Sequence, residues 1–201
     1  AGPTREAVDP VRFISNRSSG KMGYALAEKA RDMGAAVTLI SGPVSISPIP
    51  EVEMINTEST VEMEKAAVKS GKSADYIFMA AAAADYLPAE SADKKLKKTT
   101  QNLKLNLVPA PDILKSIKLE TNAVITAFAL ETHDGENEAK RKMKEKGTDF
   151  IALNYANEKG AGFESSTNHV IIFSKDGGRV ELKKDRKDRI AEKIIMHIIS
   201  N

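Results

Sequence analysis

The chain contains no cysteine among its 201 residues, which excludes a disulfide framework, a thiol nucleophile and any cysteine-based metal centre. Tryptophan is also missing, and aromatic residues make up only 5%. Histidine occurs three times, at His133, His169 and His197, too widely separated in sequence to suggest a histidine-rich metal site. No apolar run approaches the roughly 20 residues of a membrane-spanning helix, and no secretory leader is apparent. A cytoplasmic protein that engages no membrane is therefore expected. Net charge is nearly absent, since 30 basic and 28 acidic side chains leave +2. So even a balance argues against nucleic acid as a partner, and any anion site must be local.

Two nucleotide signatures are lacking as well. The stretch DPVRFISNRSSGKMGYALAEKA (9–30) has the look of a P-loop, which requires Gly-x-x-x-x-Gly-Lys-[Ser/Thr] so that successive backbone N–H groups curl round phosphates. Here Ser15 stands where the first glycine is needed and Met22 where the hydroxyl is needed. There is no Gly-x-Gly-x-x-Gly either; Gly20-x-x-Gly23 is a fragment of it. That fragment suits two roles equally, a close approach of helix to strand or a phosphate contact. The N-terminus of the helix expected over about 21–32 would attract an anion through its unbonded N–H groups.

What is present is a globular balance, 41% hydrophobic and 29% charged, in a length suited to one sizeable α/β domain spanning 1–201. The chain opens on Ala1 rather than Met, and a piece of a longer polypeptide is expected. Strand-like segments at 35–43, 52–57, 74–86, 122–132 and 148–154 alternate with helix-like segments at 59–71, 111–118 and 136–147. A hairpin over 168–182 turns at Asp176-Gly177-Gly178, and an amphipathic helix over 183–200 closes the chain. Ala1–Thr4 reads as the end of a strand. This alternation predicts a doubly wound, mostly parallel Rossmann-like sheet with helices on both faces. Segment 87–108 breaks the rhythm, being Lys-rich and then alternating Leu103, Leu105 and Leu107 with polar residues. It reads as a mobile basic flap followed by an extra strand.

In such a sheet ligands bind beyond the carboxyl ends of the strands. Asp85 lies at one of these ends, about ten residues before the run Lys94-Lys95-Leu96-Lys97-Lys98. A carboxylate that recruits Mg²⁺ beside an ammonium that neutralises phosphate would suit a nucleoside triphosphate; the same run would also serve as solvated surface. Lys142 and Lys146, four apart, share one helix face. The alanines at 80–84 either pack a tight junction or leave Ala81 and Ala82 bare enough for a ligand to lie against the backbone. Asn16 is an uncharged donor and acceptor, suited to holding an oxyanion rather than activating a nucleophile.

The segments AGPTREAVDPVRFISNRSSGKMGYALA, AAAADYLPAES, KKLKK, PDIL, FALET, AKRKMKEKGTDFIALN and GAGFESSTNHV, in this order over nearly the whole chain, resemble the phosphopantothenate–cysteine ligase family of coenzyme A biosynthesis. The resemblance implies a ligase that joins 4′-phosphopantothenate to L-cysteine through an acyl-cytidylate, with CTP as co-substrate and Mg²⁺. It implies that Asn16 contacts the acyl-cytidylate and that Lys95 is the flap lysine needed to form it. Nucleotide contacts are implied for Met79, Ala80, Ala81, Asp85, Lys95, Pro111, Asp112, Ile113, Leu114, Phe128, Lys142 and Lys146, with Asp85 toward the metal. Arg12, Asn16, Ala81 and Ala82 are implied around the phosphopantothenate, at the interface of a homodimer to which 87–108 contributes. A flavin-dependent decarboxylase domain upstream is implied too. The chain departs from the family at Arg17, where histidine is usual, and at Ala110, where asparagine or threonine is common. A nucleotide-dependent oxidoreductase and a non-catalytic nucleotide-binding module share the expected fold and are the rival readings.

Overall fold

The central strands of the sheet are apolar at nearly every position, because successive side chains enter opposite faces and helices cover both. The computed structural model describes residues 1–98, 102–131, 133–155 and 165–201. Along the chain run β1 (Arg5–Ala7), β2 (Phe13–Ser15), α1 (Lys21–Asp32), β3 (Thr38–Ser41), β4 (Glu53–Asn56), α2 (Thr60–Gly71), β5 (Tyr76–Met79), β6 (Tyr86–Pro88) and β7 (Leu107–Pro109). Then follow α3 (Ile113–Lys118), β8 (Val124–Glu131), α4 (Gly135–Lys146), β9 (Phe150–Tyr155), β10 (Thr167–Ser174), β11 (Arg179–Arg186) and α5 (Lys187–Ile199).

The main sheet has five strands in the order β11-β10-β9-β8-β5, with β5, β8 and β9 parallel and the β10–β11 hairpin antiparallel. A separate parallel pair, β3–β4, continues it across the segment Ala1–Thr4. There the Ala1 ammonium donates to the Ile40 carbonyl at 2.6 Å, and Gly42 N–H donates to Ala1 O at 2.9 Å. On the other side Ala82 N–H donates to Gly2 O at 2.9 Å and Pro3 pairs in parallel with Ala82. The expected doubly wound α/β sheet is thus observed, with Ala1–Thr4 as its seam.

Side-chain alternation decides which helix packs where. Phe150 and Ala152, with Val170 and Ile172, face α1 and α5 through Leu26, Ile190, Ala191 and Ile194. Their neighbours Ile151, Leu153, Ile171 and Phe173 face the opposite way, toward Ala139 of α4. Ile125 meets Met63 of α2 and Ile113 and Ile117 of α3 on that second face. These side chains are almost wholly buried, and those larger than alanine are each worth roughly 1.5–3 kcal/mol of transfer free energy. Helix ends follow their capping chemistry: Ser59 Oγ accepts from Glu62 N–H and Asp112 from Lys115 N–H, while Gly147 ends α4 at φ 65°, a conformation glycine adopts without strain.

One expected boundary needs correction. The last helix begins at Lys187, not 183, because residues 183–186 finish β11 as the outer strand of the hairpin. The extra strand expected after the flap is present but short: Leu107–Pro109 pairs antiparallel to Tyr86–Pro88, apart from the main sheet, while Leu103, Leu105 and Leu107 are exposed. The β1–β2 hairpin was not anticipated. Among the described residues no helix is long and apolar enough to cross a membrane. Thr132 and the first five residues of the GAGFESSTNHV segment, 160–164, lie outside the described residues.

Candidate functional site

A cleft of about 290 Å³ opens beyond the carboxyl ends of β5, β8 and β9, where a doubly wound sheet is expected to bind its ligand. Its walls come from four places: the loop and first turn of α1 (Asn16 and Ser18 to Met22), the alanines at 80–83 with Asp85, the end of β8 (Phe128 to Leu130), and Lys142 of α4. Asn154, Asn168 and Lys187 complete it.

The loop before α1 is set by Gly20, which caps the helix at φ 75° without a side-chain cap. No acidic residue occupies the first turn, so that helix end keeps its positive character toward the cleft. A Cβ at Gly23 would come within 2.5 Å of the Ala1 side chain. Close approach of α1 to the sheet is therefore a sufficient reason for that glycine.

Asn16 closes the loop onto the alanines. Its amide donates to Ala82 O at 2.8 Å and to Ala83 O at 3.3 Å, so both amide hydrogens are engaged across the mouth of the cleft. Behind the alanines lies a hydrogen-bonded chain. Ala84 N–H donates to Thr4 Oγ1 at 3.0 Å, the Thr4 and Thr60 hydroxyls are 2.9 Å apart, and Thr60 Oγ1 donates to Glu6 at 2.7 Å. The Glu6 carboxylate can only accept, so it fixes the direction of the whole relay; it also takes Thr60 N–H at the start of α2. This buried support was not legible in the sequence.

Of the residues expected at the site, Asn16, Ala80, Ala81, Ala82, Asp85, Phe128 and Lys142 do line the cleft. Lys142 is paired with Glu131, and Lys146 is paired with Asp112, which also caps α3. The two lysines share a face as expected, each held half-buried by a carboxylate. Met79 and Ile113 face the apolar layer under α2 and α3, and Leu114 lies between that layer and the one under α4. Met79, Pro111 to Leu114 and Lys146 are not among the residues that line the cleft.

Arg12 and Lys95 also stand away from it, and they are brought close to each other. Asp9, buried, accepts from Val11 N–H and Arg12 N–H at 2.9 Å each, from the Arg12 guanidinium, and from Leu96 N–H at 3.1 Å. Arg12 in turn donates to Leu96 O at 2.7 Å. The guanidinium and these N–H groups hold the Asp9 carboxyl well below its usual range. This clasp pins the lysine-rich flap at Leu96, leaving Lys95 exposed. Exposed apolar side chains flank this region in sequence: Val11 and Phe13 beside Arg12, and Tyr86, Leu103, Leu105 and Leu107 on either side of the flap.

Sequence reasoning missed Asn168 and Lys187. A signal for the second existed: Lys187 stands three, four and seven residues before Ile190, Ala191 and Ile194, so it shares their buried face of α5.

A family model described as the DNA/pantothenate metabolism flavoprotein C-terminal domain matches residues 1–201. The chain is 42% identical over 200 residues to the coenzyme A biosynthesis bifunctional protein of Bacillus subtilis, covering 98% of this chain and 49% of that protein. It is 40% identical over 203 residues to a cysteine/cysteine sulfinic acid decarboxylase of an unknown prokaryotic organism, covering 100% of this chain and 56% of that one. The chain thus spans about half the length of these curated relatives. Among solved structures, the C-terminal domain of a coenzyme A biosynthesis bifunctional protein superposes with a TM-score of 0.83 at 35% identity, over 98% of this chain and 90% of that one.

Proposed function

The chain belongs to the DNA/pantothenate metabolism flavoprotein C-terminal domain family, and from that premise and the chemistry of the cleft we propose that it is a ligase of coenzyme A biosynthesis. It joins 4′-phosphopantothenate to L-cysteine with CTP as the activating nucleotide. The observation that carries this reading is a single cleft that holds, among the described residues, three lysines, Lys21, Lys142 and Lys187, one carboxylate, Asp85, and a helix end without a side-chain cap. This is an anion site sized for a small molecule rather than for a polymer.

A carboxylate does not condense with an amine in water until its oxygen becomes part of a good leaving group. A carboxylate oxygen of 4′-phosphopantothenate attacks the α-phosphorus of CTP, the α–β P–O bond breaks, and pyrophosphate leaves. The cysteine amine then attacks the acyl carbon of the mixed anhydride, loses a proton, and expels CMP. Lys142 and the α1 end neutralise phosphate charge, and Lys95 does so when the flap folds over the mouth. Asn16 holds the acyl-cytidylate beside the bare backbone of Ala81 and Ala82. Phe128 walls the nucleotide side, with Lys146, Asp112 and the head of α3 behind it.

No cluster of three or more His, Cys, Asp or Glu side chains forms a metal site among the described residues. A Mg²⁺ here would take Asp85 and otherwise phosphate oxygens and water, as Mg²⁺ commonly does with nucleotides. It would supply charge neutralisation to the departing pyrophosphate. The exposed apolar side chains of Val11, Phe13, Leu103 and Leu105 support a homodimer in which Arg12 and the flap complete the phosphopantothenate side. The relatives' greater length supports a further domain, a decarboxylase, in the same polypeptide.

The test omits one component at a time. CMP release that requires 4′-phosphopantothenate, and amide product that requires cysteine, support the ligase; an ATP arm checks the choice of base. Binding of NAD(P) without CMP release would support the oxidoreductase instead.

A further inference from the structure

Lys187 is the buried charge that the reaction scheme leaves without a task. It is only 7% exposed, within a run, Lys183 to Arg189, that is otherwise open or half-open to solvent. The apolar face of α5 carries its stem inward, and the side chain reaches the cleft wall that also contains Lys21 at the head of α1. Two ammonium groups on one partly desolvated wall repel each other. Burial, and then the charge of Lys21, push the Lys187 pKa down to about 8. Among the described residues the remaining charges of the cleft are Asp85 and Lys142, the latter paired with Glu131; at the head of α5, Arg186 and Asp188 pair with each other at 3.0 Å.

A second observation points the same way from another element. Asn168 of β10 is 1% exposed and lines the cleft. Its Oδ1 has no hydrogen-bond partner, and its amide nitrogen reaches only the Met22 thioether at 3.7 Å. A buried amide usually satisfies both ends. Half a turn of its terminal torsion exchanges donor for acceptor, so this group can serve a ligand in the cleft that the protein itself does not replace.

We propose that Lys187, together with Lys21 and the Asn168 amide, is the receptor for the terminal phosphates of the nucleotide and holds the pyrophosphate as it departs. The proposal rests on the nucleotide-dependent reading above. Two ammonium groups, an amide and an uncapped helix end match a multiply charged phosphate, whereas a carboxylate carries one charge only. The phosphate monoester of 4′-phosphopantothenate has the same chemistry and is the competing source.

Calorimetry on the intact chain with inorganic pyrophosphate at pH 7 separates these cases. Lys187→Met and Lys187→Gln should each weaken pyrophosphate by about 10–100-fold, as expected for one charge-assisted hydrogen bond. Affinity for 4′-phosphopantothenate should stay within about twofold. Wild-type binding near pH 8, measured in buffers of different ionisation heat, should take up a fraction of a proton that the variants do not, because the anion draws the Lys187 proton equilibrium upward. The wild-type measurement needs no variant to fold. Variants that bind pyrophosphate as tightly as wild type, or an absence of that proton uptake, overturn the proposal. Loss confined to 4′-phosphopantothenate overturns the assignment to the nucleotide. If pyrophosphate binding depends on Lys187 but no CMP forms in the full mixture, the receptor stands and the ligase reading falls.

Discussion

Replacing Asn16 by aspartate tests the mouth of the cleft at a single atom. The amide nitrogen that donates to Ala82 O at 2.8 Å and Ala83 O at 3.3 Å becomes a carboxylate oxygen facing two carbonyl oxygens. Two hydrogen bonds are lost at an exposed site, about 1–2 kcal/mol in all, which for a chain of this size lowers Tm by roughly 2–8 °C. The chemical effect is larger. In the proposed reaction the Asn16 amide exchanges one of these carbonyls for the developing oxyanion of the acyl-cytidylate, and losing that donor costs about 10²–10³ in rate. Cytidylyl transfer, driven by Mg²⁺ and Lys95, should continue. The acyl-cytidylate should then accumulate and be visible by mass spectrometry in a quenched mixture of variant, CTP, Mg²⁺ and 4′-phosphopantothenate. Asn16→Ala, which removes the donors without adding charge, should loosen the loop similarly yet slow the cysteine step less. An Asn16→Asp protein that consumes cysteine at the wild-type rate would refute the reasoning and leave Asn16 as a loop staple only.

Lys95→Gln should nearly abolish pyrophosphate release while leaving Tm within about 1 °C, since an exposed lysine contributes little to folding; near-normal release would return the lysine run to solvated surface. Asp9→Asn should free the flap at Leu96, seen as several-fold faster tryptic cleavage at Lys94 to Lys98. Because the folded pKa of Asp9 lies below its ordinary 3.8, the clasp is fully present above that value and weakens only as pH falls below it; protection against an acid-active protease should therefore persist at pH 5 and fade in stronger acid. Sedimentation at micromolar concentration should give a dimer that Phe13→Asp dissociates, and a fully active wild-type monomer would contradict the proposed interface.

The parts of the fold that were legible are those where many residues repeat one signal. Near-continuous apolar runs in Val124–Glu131 and Phe150–Tyr155, and capping residues such as Ser59, Asp112 and Gly147, mark strands and helix ends. Three-residue strands such as Arg5–Ala7 and Tyr86–Pro88 are too short to carry a period, and they exist because their partners lie beside them. Leu103, Leu105 and Leu107 carry the period of a strand with little partner to pair with, so pattern overstated structure there. The β11–α5 boundary was misplaced because a polar run such as Lys183 to Arg189 can continue an outer strand as readily as begin a helix. At the cleft, the Asn16 loop, the alanines, Asp85, Phe128 and Lys142 were named from the sequence and line one cavity. The Glu6–Thr60–Thr4 relay was not, because its members are ordinary residue types whose contacts span more than fifty positions.

The most direct test of the ligase account follows one oxygen atom. 4′-Phosphopantothenate labelled with ¹⁸O in its carboxylate is incubated with the protein, CTP, Mg²⁺ and cysteine, and the phosphorus-containing products are weighed. Attack on the α-phosphorus, followed by cleavage of the acyl C–O bond by the amine, should deliver one ¹⁸O to each CMP and none to pyrophosphate. Label in inorganic phosphate, or CMP formed without label, would contradict the acyl-cytidylate and with it the mechanism proposed for this cleft.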